Sequence, residues 1–261
     1  MPNRREWFTA VLAGGAALLG SRGNADKESD APVVDEMIVI PAGKFLMGTT
    51  VEQAQRLAGE YGYDVSWFSG EMPGKQVDLG AFAIDKYPVT NRQFALFCRE
   101  TGYRPRPHWH GPQPPEGLGD HPVVFVNLAD AAAYARWAGK RLPTESEWEK
   151  AARGEAGLLF PWGDAFDPQA CRFNADPATP GPNTAPVDAH PKGASPYGVM
   201  DMVGNVSEWC SDSPGPGAAF IKGGAWCFEH IMNLRPAARN MSGFANNPSD
   251  FYGFRCAKDV V

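Results

Sequence analysis

Regular alternation of apolar and polar positions is sparse in this chain, and each patterned stretch is short. Residues 37–47 (MIVIPAGKFLM) read as a strand, a Pro41-Ala42-Gly43 turn and a second strand. Residues 49–60 carry a weak helical pattern, and residues 61–70 form an aromatic loop with Trp67 and Phe68. Residues 77–85 (VDLGAFAID) alternate as one strand. Thr90 caps a helix over 91–101 that sets Phe94 and Phe97 on one face. Residues 103–120 hold five prolines and three glycines, so they form a long loop, the kind of segment that often carries function. A short strand is expected at 123–126 and a helix at 130–138 with Tyr134 and Trp137 facing one way. Thr144 with Glu147 makes a capping box that opens a further helix, turning Trp148 and Ala151 or Ala152 inward. From Gly154 onward turns dominate, and strands are expected at 205–210, 220–224 and 254–257.

Composition supports this reading. Gly (29) and Pro (24) are both abundant in 261 residues, which predicts many turns and few long elements. Apolar residues make up 43% and charged residues 21%, a globular balance with enough chain for one sizeable core. With no repeat, linker or change of composition after the N-terminal segment, one α+β domain over residues 37–261 is expected, preceded by a flexible segment at 26–36.

The N-terminus differs. Arg4 and Arg5 precede an apolar run from Trp7 to Leu19, and small residues end at Ala25. This is the plan of a signal peptide over residues 1–25, with an apolar run too short for a comfortable membrane span. The Arg4-Arg5 pair resembles a bacterial twin-arginine signal, which implies the twin-arginine machinery as a partner and a periplasmic destination. Contact with the membrane is then expected only through the uncleaved signal. The net charge of −6 becomes more negative on cleavage, because the removed piece carries three Arg and one Glu. The whole-chain field therefore disfavours a nucleic-acid partner. Cys98, Cys171, Cys210, Cys227 and Cys256 make an odd set with no CxxC pair, so at least one stays unpaired within the chain.

Blocks along the chain resemble the sulfatase-modifying factor family, whose fold is that of the formylglycine-generating enzyme. They include Ile40-Pro41-Ala42-Gly43 to Gly48, Tyr87-Pro88-Val89-Thr90-Asn91, His121-Pro122-Val123 and Gly139-Lys140-Arg141-Leu142-Pro143-Thr144-Glu145. Phe160-Pro161-Trp162-Gly163, Gly204 to Trp209, Lys222 to Trp226 and Gly253-Phe254-Arg255-Cys256-Ala257 follow in order. The resemblance implies a C-type-lectin-like α+β fold with little regular structure. It says less about the reaction, because one fold hosts many functions.

The resemblance also implies sites. A structural calcium is expected at Asp201, the Gly204 and Val206 carbonyls and Glu208, all hard oxygen donors. The competing reading satisfies Asp201 and Glu208 by turn hydrogen bonds and arginine pairing. A second, weaker calcium site falls at Asn174 and Asp176. The formylglycine-generating centre binds copper through two cysteines five residues apart after a Gly-Gly-Ser motif. Here Ala225 replaces the serine, Cys227 is displaced by one residue, and Ile231 and Met232 supply no second thiol. A disulfide with Cys210 or a buried thiol are the alternatives for Cys227, and Cys98 is one candidate partner for Cys256.

His108, His110 and Glu116, with His121 nearby, are the one His-rich cluster that could take iron or another transition metal; surface histidines are the competing reading. The resemblance further implies a substrate groove at Trp109, Trp226, Cys227, Phe228, Arg235, Arg239 and Asn240, with Asn247 and Arg255 close by and the aromatic rings able to stack on a ligand. Burial against Asp or Glu is the favoured reading for Arg255. No residue is assigned a catalytic role.

Exported single-domain relatives without the cysteine pair resemble the family's periplasmic pyoverdine-maturation member. That resemblance implies an oxidative tailoring role on a secondary metabolite such as a siderophore precursor, with a small molecule or peptide as substrate. The alternatives are a non-enzymatic, lectin-like binding or assembly factor and, behind it, a sulfatase activator. Replacing Arg4 and Arg5 by lysine is expected to strand the precursor in the cytoplasm. An unchanged periplasmic yield on fractionation refutes the twin-arginine route.

Overall fold

The computed structural model describes residues 35–104, 113–114, 116–179, 181–239 and 242–260, with only the backbone considered at 242 and 243. The chain divides into two units, Met1–Val33 and Val34–Val261. The expected signal peptide, most of the 26–36 segment, His108, Trp109, His110 and Asn240 lie outside the described residues.

In chain order the elements are β1 (Met37–Ile40), β2 (Gly43–Met47), α1 (Val51–Tyr61), β3 (Lys75–Leu79), β4 (Phe82–Asp85), α2 (Asn91–Thr101), α3 (Leu128–Trp137) and α4 (Glu145–Arg153). The second half carries β5 (Ser207–Trp209), β6 (Ala218–Lys222), β7 (Ser242–Phe244), β8 (Tyr252–Gly253) and β9 (Ala257–Asp259). Three small sheets result, in the orders β1-β4-β9, β2-β3 and β7-β6-β5-β8. All pairings are antiparallel except β5 with β8. No helix among the described residues is long and apolar enough to cross a membrane.

Each α-helix starts on a reciprocal capping box: Thr50 with Gln53, Thr90 with Gln93, Asn127 with Asp130 and Thr144 with Glu147. Each box satisfies two backbone N–H groups that the first helical turn leaves without partners, and a cap residue is worth about 1 kcal/mol. The four helix starts are thus written locally.

The strands are set by long-range pairing and depart from their expected bounds. Residues 77–85 do not form one strand: Gly80 and Ala81 separate half-exposed β3, paired with β2, from fully buried β4, held between β1 and β9. The 37–47 stretch likewise sends β1 and β2 into different sheets instead of closing a hairpin. Residues 123–126 are irregular. Phe125 has φ +57°, and the Val123 and Phe125 N–H groups donate to carbonyls of Val89 and Ser249. Residues 254–256 are irregular too, lying between β8 and β9.

The largest apolar cluster joins α2 and α3 to the β5 sheet, with Phe94, Phe97, Tyr134, Trp209 and Phe254 all buried. A second gathers Trp148, Ile84, Val199 and Met202, and a third packs α1 against Phe68, Phe160 and Met232. All five cysteines are free, so neither the Cys210–Cys227 nor the Cys98–Cys256 pairing is formed. Burial pushes the thiols of Cys98 and Cys171 up to about 11 and about 12.

Helix α4 holds a polar core. Trp148, Ala151 and Ala152 are buried as the pattern predicts, but so are Glu145, Glu147, Glu149, Lys150 and Arg153. Glu149 Oε1 accepts from the Gly48 N–H and from Arg153, both at 2.6 Å, and Oε2 accepts from Lys222 at 3.1 Å. Lys222 also reaches Glu145, which the Arg239 guanidinium clamps from the other side. Lys150 donates to the Pro41 and Gly43 carbonyls, pinning the β1–β2 turn. Removing one member of such a network strands the others away from water. Glu149→Ala is therefore expected to lose about 3–5 kcal/mol in denaturant unfolding; a loss within experimental error shows that Lys222 and Arg153 do not depend on it.

Candidate functional site

Strand β6 ends in Lys222 and delivers the chain into Gly223 and Gly224, at φ +93° and +69°. A Cβ on Gly224 would lie 2.6 Å from Leu234 Cδ2 and 3.1 Å from Leu234 Cα, so the turn sits directly on the 3-10 turn Ile231–Leu234. The Gly223 carbonyl accepts from the Gly204 N–H, and the Trp226 N–H donates to the Asn205 carbonyl. The double-glycine turn is thereby tied to the 201–208 segment.

Between these segments lies a cavity of about 10 Å³, room for about one water molecule. Ser207, Gly223, Gly224, Phe228 and Asn233 line it, and Ile221 and Ala238 complete an apolar remainder. Phe228 and Asn233 stand five residues apart, the spacing that the copper-binding cysteines of the family keep. Neither is a thiol. Cys227, Ile231 and Met232 are not in the lining. Cys227 is half-buried, and burial raises its thiol pKa, so its environment holds back the thiolate that copper needs.

Of the expected groove residues, Phe228 reaches this cavity; its ring meets Phe251 edge-on at 6.4 Å. Trp226 is buried, with its indole N–H donating to the Asp250 carbonyl at 3.1 Å. The two arginines each meet a carboxylate. Arg235 is fully buried, forms a two-pronged pair with Glu71 at 2.6 and 3.0 Å, and stacks on Phe68. Arg239 clamps Glu145 and lies over the Phe220 ring. The family resemblance placed both near the substrate groove, but it could not reveal that each already owns a carboxylate. Asn247 is exposed.

In the 201–208 segment, Arg255 donates to both Glu208 oxygens at 2.7 Å and Trp148 Nε1 donates to Oε2 at 2.8 Å. The same guanidinium reaches the Met200 and Asp201 carbonyls. This is the arginine pairing favoured for Arg255 and the competing reading for Glu208. Asp201 differs. It is buried at φ +57°, its Oδ2 accepts from Asn205 Nδ2 at 2.8 Å, and it forms no ion pair among the described residues. Burial pushes its carboxyl up to about 7, against the weaker pull of Asn205 and Arg255. A buried carboxylate with no ion pair of its own among the described residues fits a calcium ligand, with Gly204 and Val206 following in the same segment.

The weaker candidates fare less well. Asn174 takes φ +46°, and exposed Asp176 closes a local turn by accepting from the Ala178 N–H. Glu116 is exposed in a turn, while His121 is buried and bonded to Thr184 Oγ1 at 2.9 Å. Burial lowers the His121 pKa. Among the described residues no group of three or more His, Cys, Asp and Glu side chains could hold a metal.

The Sulfatase-modifying factor enzyme 1-like domain matches residues 23–260. The formylglycine-generating enzyme of Thermomonospora curvata is 33% identical over 90% of this chain and 97% of its own. The inactive C-alpha-formylglycine-generating enzyme 2 of Mus musculus is 33% identical over 86% of each chain. Among solved structures, PvdO from Pseudomonas aeruginosa superposes with a TM-score of 0.67 at 26% identity, covering 86% of this chain and 94% of that one. The double-glycine turn, its cavity and the arginine-locked 201–208 segment thus sit in a chain that belongs to the sulfatase-modifying factor enzyme 1-like family.

Proposed function

We propose that this chain is an exported maturation protein that oxidatively tailors a secondary metabolite, such as a siderophore precursor. Two hydrogens leave the substrate, and dioxygen accepts them. The observation that carries this reading is the cavity at Gly223–Gly224, where Phe228 and Asn233 stand at the five-residue spacing of the copper thiolates. Two soft sulfurs are what Cu(I) asks for, and a phenyl ring and an amide do not provide them. That argues for a substrate other than a sulfatase cysteine. The likeness to PvdO, with the sequence resemblance to the pyoverdine-maturation member, supports a maturation role. Deleting the gene is expected to replace one oxidised metabolite by its reduced precursor in culture extracts. Aldehyde formation on a sulfatase cysteine peptide by the purified protein with copper and oxygen refutes the reading.

A lectin-like binding or assembly role is the second reading. An exposed aromatic group favours it: Trp67 lies 5.0 Å from Tyr63 and 6.0 Å from His230, centroid to centroid. Such faces suit stacking on a ligand.

Structural calcium at Asp201, with the Gly204 and Val206 carbonyls and a share of Glu208, belongs to the same proposal. Its chemistry would be neutralisation of buried charge and stiffening of the turn. Asp201 is the informative position, because Glu208→Ala would also strand Arg255. At free calcium a hundredfold above Kd, chelation is expected to lower the melting temperature by roughly 5–10 °C in wild type and by much less in Asp201→Ala. Identical wild-type melting with and without chelator excludes a structural calcium.

A further inference from the structure

Among the described residues, Phe125, Asn174, Asp201 and Asn205 take positive φ without being glycine. Asn and Asp tolerate the left-handed region because their short polar side chains bond locally. Phe125, at φ +57°, has no such excuse. A bulky aromatic residue there is an outlier, kept only where neighbouring contacts outweigh the strain, and such residues concentrate at clamps and switches. The contacts that keep it face two ways. Toward the core, the Val123 N–H donates to the Val89 carbonyl at 2.8 Å, and the Val126 carbonyl accepts from Trp209 Nε1 at 3.0 Å. Toward the surface, the Phe125 N–H donates to the Ser249 carbonyl at 2.8 Å and the Leu128 N–H to the Ala245 carbonyl at 3.1 Å.

Ala245 and Ser249 belong to the connection between β7 and β8, residues 245–251, which forms no helix or strand and exposes Asn246 and Asn247. Its far end meets the double-glycine site. The Asp250 carbonyl accepts from the Trp226 indole, the Phe251 carbonyl accepts from the Ser207 N–H at 2.8 Å, and the Phe251 ring meets Phe228. Ser207 and Phe228 both line the cavity. As it stands that cavity takes about one water, so an organic substrate enters only if a wall moves. The other walls are fixed. Strand β6 ends in the Lys222–Glu149 network, and Gly224 sits directly on Leu234. The 245–251 connection is the wall held by a few backbone bonds, with one of them made by a strained residue.

We propose that residues 245–251 are a lid over the double-glycine cavity and that Phe125 is its latch, strained while the lid is closed and relaxed when it swings away. This rests on the reading above that substrate is handled at this cavity, and it adds how substrate is admitted. The strain at Phe125 works against the closed state, so the lid is shut by a small margin and opens without unfolding the domain.

Hydrogen exchange with mass spectrometry on the full chain reads the opening of the lid, and alkylation by iodoacetamide reads it beside the cavity. Cys227 is half-buried next to Trp226, whereas the other four cysteines are buried, so alkylation reports on Cys227. In wild type the amides of 245–251 are expected to exchange roughly a hundredfold faster than those of β6. Phe125→Ala keeps a Cβ at positive φ and Phe125→Gly removes it; both lose the ring, so the pair isolates the strain. The glycine variant is expected to exchange in 245–251, and to alkylate at Cys227, roughly fivefold more slowly than the alanine variant. Trp226→Phe removes the indole donor at the other end of the lid and is expected to speed both. Exchange in 245–251 as slow as in β6, equal rates in the two Phe125 variants, a glycine effect spread evenly over the chain, or unchanged rates in Trp226→Phe each overturns the proposal. A lid that behaves as expected while gene deletion leaves the metabolite profile unchanged stands without the oxidative reading. Loss of the oxidised metabolite with a lid that never opens does the reverse.

Discussion

A carboxylate with no access to water, Glu149, joins three parts of the chain that are far apart in sequence. Through one side chain it holds the backbone after β2, the end of its own helix and the last residue of β6. Desolvating that charge is tolerable because Lys222 and Arg153 answer it, and desolvating them is tolerable because Glu149 and Glu145 answer them. The arrangement is all or nothing, and it sets where β6 ends. Because Gly223 and Gly224 follow Lys222 directly, the cavity takes its position from this network and not from the apolar clusters alone.

Arg255 repeats the device a short way off. With one guanidinium it meets Glu208 and four backbone carbonyls. A fold with so little regular backbone pairing leaves many carbonyls in need of donors, and long cationic side chains serve that need. Arg153 does the same for Gly48, Gly157 and Leu158.

How much was legible in the sequence follows from the range of each interaction. The helix starts at Thr90 and Thr144 were readable because a capping box is closed within four residues. The split of 77–85 was not, since alternation continues across Gly80 while the two halves find different partner strands. Burial of Glu145, Glu149 and Arg235 was invisible because their partners are distant in sequence. For the same reason the pairing of Arg235 with Glu71 and of Arg239 with Glu145 could not be read from the groove residues. Ser207 was missed because a serine inside a recognisable block carries no sign that its hydroxyl lacks a partner; only the packed structure reveals that. Phe228 was legible from its ring, whereas Asn233 carries neither ring, charge nor thiol to mark it, and only the packing of the 231–234 turn brings it to the cavity.

The five unpaired cysteines have a bearing on time as well as on stability. Small exported domains commonly wait for an oxidising compartment to close their disulfides before the native state is secure. This chain instead holds its irregular loops with ion pairs and arginine–carbonyl bonds, which form as soon as the backbone closes around them. Nothing in those interactions depends on redox poise. The native state can therefore be completed in a reducing compartment as readily as in an oxidising one, so that folding of the polypeptide is indifferent to the redox state of its surroundings.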